Sequence, residues 1–152
     1  GPPPADVLDA ADDAPVPAST LLAIAPDINR IFAGPTVEAI LEGLLTTTAE
    51  WAVKARAGLL EKSPLALKAT LVAIRRARSL GSLEEALNEE FRLCTHLFEV
   101  GEFPEGVRAL LVDKDKAPKW RPAALADVTG DMVDALFAPV AGVDEPGLVA
   151  PQ

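Results

Sequence analysis

A mostly α-helical chain is what this sequence predicts, and two observations carry that reading. Between residues 19 and 137 apolar side chains recur at spacings of three and four, and Gly, Pro, Ser and Thr fall where such stretches would begin or end. The size sets a bound: 152 residues with 49% apolar and 24% charged side chains suit one hydrophobic core rather than two. No internal repeat is present. Residues 1–18 carry five prolines and four aspartates with few bulky apolar groups, which predicts a flexible lead-in, and residues 138–152 read as a flexible tail.

Taken in order, Leu21, Ile24, Ile28, Ile31 and Phe32 fall on one side of a first helix that Pro26 should break or restart and Gly34 should end. Thr36 is an N-cap for a second helix with Val37, Ile40, Leu41, Leu44 and Leu45 as its apolar stripe. After Thr48 a third helix brings Trp51, Ala55 and Leu59 to one face. Ser63-Pro64 places a cap before a proline at the first helical position, and the helix from Leu65 ends in Arg75, Arg76 and Arg78, where positive charge offsets the dipole. Ser82 to Glu85 has capping-box spacing, and Leu83, Leu87, Phe91, Cys94 and Phe98 follow as the expected buried stripe, with a stop near Gly101. A shorter helix from Pro104 would bury Val107, Leu110, Leu111 and Val112, although so short a run also fits a strand. Beyond a polar loop, Thr129 caps a last helix, with Val128 and Val133 as a hydrophobic staple and Leu136 and Phe137 buried.

A formal net charge of −9 argues against nucleic acid as a partner, because phosphate binding needs a basic surface. No apolar run is long enough to span a bilayer, and the start lacks the charged and apolar regions of a signal peptide. Nor does it begin with Met, which fits a start inside a longer gene product or one after a cleaved tag. The single cysteine, Cys94, fits a reducing cytoplasm, and the expected location is cytoplasmic.

Chemistry-bearing residues are sparse. One His and one Cys cannot supply the three or four ligands of a metal site, so His96 reads as a polar-face or interface histidine and Cys94 as a small buried side chain. Glu84, Glu85, Glu89 and Glu90 read as the solvated face of a capped helix, and no phosphate-cradling glycine motif is present. The loop from Asp113 to Arg121 differs. It sets Lys114, Lys116, Lys119 and Arg121 around Trp120, a pattern suited to a ligand with phosphates and a flat ring, although composition alone also fits a solvated loop.

The order of residues adds more. The stretch Phe103-Pro104-Glu105-Gly106-Val107-Arg108-Ala109-Leu110-Leu111-Val112-Asp113-Lys114-Asp115-Lys116-Ala117-Pro118-Lys119-Trp120-Arg121-Pro122 closely resembles the C-terminal signature of 3-hydroxyisobutyryl-CoA hydrolases, members of the crotonase or enoyl-CoA hydratase/isomerase superfamily. Thr36-Val37-Glu38, Ser63 to Leu71 and Glu90-Phe91-Arg92-Leu93 follow in the family's order, so the likeness covers about Ser19 to Phe137. It implies that residues 19–137 are the helical C-terminal part of a crotonase-type α/β enzyme whose β-rich core, with the oxyanion hole and acidic catalytic groups, is absent from this chain. It implies no catalytic residue here, and a parent that hydrolyses a short 3-hydroxyacyl-CoA in valine breakdown. The segment would cover the active site, help bind CoA as part of the substrate with no separate cofactor, and contribute to homo-oligomer contacts. Its partners would be the N-terminal β-rich part and the acyl-CoA. Lys114 best matches the family's nucleotide-binding lysine, Lys116 lies close by, and Trp120 either stands in for an aromatic whose usual place holds Leu110 or Leu111 or is an anchor that pins the loop onto the body by burying its indole. Glu102 replaces a more usual aspartate and Pro104 a larger residue. Two other readings stand beside this one: hydratase or isomerase chemistry on the same scaffold, and a non-enzymatic helical interaction module.

Overall fold

The computed structural model describes residues 19–143 and residue 146. The chain divides into two units, one ending at Ala33 and the other starting at Gly34. The first holds a single described helix, α1 (Thr20–Phe32), which contains Pro26 without breaking there. Pro26 gives up one N–H bond, yet its fixed φ is one a helix already uses, and the helix continues through it. Along the expected stripe Ile31 is buried, whereas Leu21 and Phe32 are exposed.

The described part of the second unit is built of helices and loops, with no strand among the described residues. It comprises α2 (Val37–Gly43) with a 3₁₀ turn over Leu44–Thr46, α3 (Glu50–Leu60), α4 (Pro64–Arg76) with a 3₁₀ turn over Ala77–Ser79, and α5 (Leu83–Glu99). After these come α6 (Glu102–Val107), a π-helical turn (Arg108–Val112), a 3₁₀ turn (Leu125–Asp127) and α7 (Gly130–Ala135).

Helix starts follow side-chain chemistry. Thr36 Oγ1 accepts from Ala39 N at 3.1 Å, Ser63 Oγ from Ala66 N at 3.0 Å and Thr129 Oγ1 from Met132 N at 3.2 Å, each satisfying an amide that the helix leaves free. At α5 the cap is formed in part as the spacing predicts. Ser82 Oγ accepts from Glu85 N at 3.2 Å, but the Glu85 carboxylate reaches past Ser82 to Gly81 N at 2.7 Å.

The core is a cluster of Leu65 and Ala69 from α4, Leu93 from α5, and Val128, Val133, Leu136 and Phe137 around α7. The staple pair and the two residues beyond it are therefore buried as expected. Arg76 caps this core, its guanidinium 4.5 Å from the Phe137 ring centroid and paired with Glu89 at 2.8 Å. Lys68 ties three segments together, reaching Glu38 of α2 at 2.9 Å and the carbonyl of Val128 at 3.2 Å.

Three expectations need correction. In α5 the period is helical, but the side turned to the core carries Leu93 and Leu97. Leu83 is 70% exposed, Phe98 60% exposed, and Leu87 and Cys94 are exposed as well. Periodicity locates an apolar stripe; it does not say whether a partner for that stripe lies in the same chain. Second, α6 begins at Glu102, ahead of Pro104, because Gly101 takes a left-handed φ of 89° and turns the chain there. Leu110, Leu111 and Val112, expected to be buried, are exposed on the π-helical turn, and Ala109 is the buried residue. Third, the tail does not begin at residue 138: Val140 is buried and the Ala138 carbonyl accepts from His96 Nε2 at 3.0 Å. The expected lead-in over residues 1–18 and most of the tail beyond residue 143 lie outside the described residues.

Candidate functional site

The loop singled out by its charges is organised by a residue that composition does not mark. Glu105 and Arg108 lie one turn apart, a spacing that brings opposite charges together. The Arg108 guanidinium meets Glu105 as a two-pronged fork, Nε to Oε2 at 2.8 Å and Nη2 to Oε1 at 2.7 Å. The same group bonds Asp113, reaches Asp115 Oδ2 at 2.8 Å and donates to the Ala117 carbonyl at 3.2 Å. The backbone makes the return possible. A wide π-type bond from Asp113 N to Arg108 O at 2.8 Å ends the helix, and Lys116 N bonds Ala109 O at 3.0 Å. Glu105 Oε1 also accepts from Lys119 N at 2.6 Å, and Asp115 Oδ1 from Ala117 N at 2.9 Å.

These contacts set the charge states. The Arg108 fork, helped by the Lys119 amide, holds the Glu105 carboxyl at about 2. Asp115 is lowered by the Ala117 amide first and Arg108 second, and Arg108 itself is pushed above its ordinary value by Glu105, Asp115 and Asp113. The loop's two carboxylates, and Glu105 of α6, thus pair with Arg108 rather than with the loop's lysines.

Lys114 and Lys116 are exposed and take left-handed backbone conformations, φ 56° and 52°. Such conformations are costly for side chains with a Cβ, and they persist where surrounding contacts fix them. The structure therefore brings the two sequence-selected lysines onto one bonded loop. Trp120 is placed as an anchor: its Nε1 donates to the Glu61 carbonyl at 3.2 Å, and its ring sits so close to Gly106 that a Cβ there would lie 3.3 Å from Cη2. It also lines a groove of about 1260 Å³, together with Leu67, Thr70, Phe98, Phe103 and Leu110. Lys116 borders this groove and Cys94 opens into it, which is why the thiol is not buried as expected. Glu102 lies on its wall, 5% exposed, with one carboxylate oxygen accepting from Arg121 N at 3.1 Å and the other without a hydrogen-bond partner among the described residues.

Elsewhere the chemistry is structural. His96 bonds Glu99 at 3.1 Å as well as the Ala138 carbonyl. No group of three or more His, Cys, Asp or Glu side chains that could hold a metal ion occurs among the described residues, and no described helix is long and apolar enough to cross a membrane. Reading the sequence for charge clusters found Lys114, Lys116 and Trp120 but passed over Arg108, Glu105 and Glu102. The signal available for the first two was the Glu-x-x-Arg spacing followed by Asp113 and Asp115.

Comparison with known proteins adds the wider frame. A family model described as enoyl-CoA hydratase/isomerase matches residues 4–137. The small ribosomal subunit protein mS47 of Arabidopsis thaliana is 42% identical over 125 residues, covering 78% of this chain and 30% of that protein. The mitochondrial 3-hydroxyisobutyryl-CoA hydrolase of Xenopus laevis is 39% identical over 117 residues, 77% of this chain and 30% of the relative. Among solved structures, a carnitinyl-CoA dehydratase from Mycobacterium thermoresistibile superposes with a TM-score of 0.81 at 40% identity, covering 91% of this chain and 40% of its own. The chain thus spans about 30% of the length of these curated relatives. The expected cytoplasmic location is overturned, since the hydrolase relatives from frog and Dictyostelium discoideum are mitochondrial proteins by name. A lone thiol does not separate one compartment from another.

Proposed function

This chain belongs to the enoyl-CoA hydratase/isomerase family, as a helical portion of a crotonase-type protein, and from that premise we propose that it is the C-terminal segment of an acyl-CoA thioester hydrolase resembling 3-hydroxyisobutyryl-CoA hydrolase. In this reading the segment covers the active site, and Lys114 and Lys116 meet the phosphates of the CoA nucleotide while Trp120 supplies a wall beside them. The observation that carries it is the pair of exposed lysines fixed in left-handed backbone, of which Lys116 borders a large apolar groove. Phosphate recognition needs positive charge whose position is set before the ligand arrives.

The segment holds no catalytic residue in this account and is inert alone. Oxyanion donors and acids belong to a β-rich portion of the longer protein, which would lie against the apolar surface that α5, α6 and the π-helical turn leave open. The longer protein would act as a homo-oligomer on valine-derived acyl-CoA. Hydratase or dehydratase chemistry on the same scaffold is the second reading, supported by the likeness to the carnitinyl-CoA dehydratase. A non-enzymatic interaction role finds its support in the likeness to a ribosomal protein.

The test uses the longer protein with two substrates, a full acyl-CoA and the same acyl group on a pantetheine arm. A charge-assisted contact to phosphate is worth roughly 1.5–3 kcal/mol, so Lys114→Ala should raise KM for the acyl-CoA by about one to two orders of magnitude with kcat nearly intact. The pantetheine substrate, lacking the nucleotide, should be indifferent. Equal losses on both would assign Lys114 to folding, and no loss on either would make the loop ordinary solvated surface.

A further inference from the structure

We infer that Arg108 is a positioning residue for nucleotide binding, holding Lys114 and Lys116 in their left-handed conformations and withdrawing the neighbouring carboxylates from the ligand's phosphates. This rests on the reading of the two lysines given above and goes beyond it, since Arg108 itself is turned inward to its acidic partners. The loop places Asp113 and Asp115 on either side of Lys114, an alternation that would by itself leave little net attraction for an anion. Arg108 resolves the alternation by geometry. One planar group takes both oxygens of Glu105, one of Asp113 and one of Asp115, and closes on the Ala117 carbonyl. Acidic and basic side chains of alternating residues thereby take different partners: the carboxylates, themselves part-exposed, are paired with Arg108, and the exposed lysines are not bonded to them. A lysine at position 108 would keep the charge and lose the fork, because an ammonium cannot serve four oxygens in fixed directions.

Asp115 supplies the sharpest test, because its two oxygens have separate duties: Oδ1 accepts from Ala117 N and Oδ2 from Arg108. Asparagine has one acceptor oxygen, so Asp115→Asn must give up one of the two bonds while making the loop more positive. If charge alone mattered, this variant would bind acyl-CoA more tightly. Positioning requires the opposite: KM for the acyl-CoA should rise about three- to tenfold, within the range of one ordinary lost hydrogen bond, and KM for the pantetheine substrate should not move. Arg108→Lys should shift the same KM in the same direction. Should either variant fail to fold, circular dichroism and a thermal midpoint will show it, and the remaining variant carries the comparison. A lower or unchanged acyl-CoA KM in folded Asp115→Asn overturns the inference while leaving the reading of the lysines intact, provided Lys114→Ala retains its nucleotide-selective loss. If Lys114→Ala shows no such selectivity, the reading and the inference fall together.

Discussion

Ser63 is a buried hydroxyl whose one visible duty is to accept the Ala66 amide at the start of α4, the helix that supplies Leu65 and Ala69 to the core. Removing an N-cap acceptor costs about 1 kcal/mol and up to about 2 where the site is dry, so Ser63→Ala should lower the denaturation midpoint more than Ser82→Ala at the exposed start of α5. Equal midpoints for the two variants would contradict the weight given to burial. Glu105 makes a prediction in pH. Its carboxyl is held at about 2, below an ordinary value of 4.5, so the folded state prefers it charged. The stabilisation it lends is complete above the unfolded value and is lost as pH falls from there through about 2. The gap in thermal midpoint between the wild type and Glu105→Gln should therefore be widest near neutrality and close across that acidic interval. A gap of constant size down to the lowest pH would mean that the substitution removes packing alone. The lysines and the indole were legible as a charged cluster around one aromatic. Arg108 was not, because its partners at 105, 113 and 115 look like ordinary surface charges until a π-helical turn brings them together.

The helices themselves were largely legible, since Thr36, Ser63, Ser82 and Thr129 each start a helix where a side-chain acceptor precedes an apolar repeat. What the pattern could not supply was the partner of each stripe. On α5 the repeat of Leu83, Leu87, Phe91, Cys94 and Phe98 is as regular as any buried face, yet the core contacts come from Leu93 and Leu97. The unbroken path through Pro26 and the π-helical turn were not foreseen for a related reason: both depend on backbone geometry that residue spacing does not encode. Packing between elements turns on a few polar ties. Lys68 of α4 is mostly shielded and bonds both Glu38 and the Val128 carbonyl just before α7. Lys68→Met should keep the aliphatic contact and lose both bonds, at a cost of about 1–3 kcal/mol read from chemical denaturation. No loss would show that α2, α4 and α7 are held by their apolar contacts alone.

An exposed apolar face of the second unit runs from Phe98 and Phe103, whose rings lie 6.3 Å apart, to Leu110 and Leu111. Surface of that kind marks a contact with another body. The purified chain should therefore bind a hydrophobic dye or self-associate, and a strictly monomeric species without dye binding would count against a missing partner. The family relationship agrees, because the match takes in 91% of this chain but only 40% of the dehydratase structure. The most direct measurement of the central claim is thiol release from 3-hydroxyisobutyryl-CoA, followed with a thiol-reactive dye. We expect saturable turnover from the longer protein that carries this segment and none from the 152-residue chain alone. Saturable turnover by the isolated chain, or none by the longer protein, would contradict it.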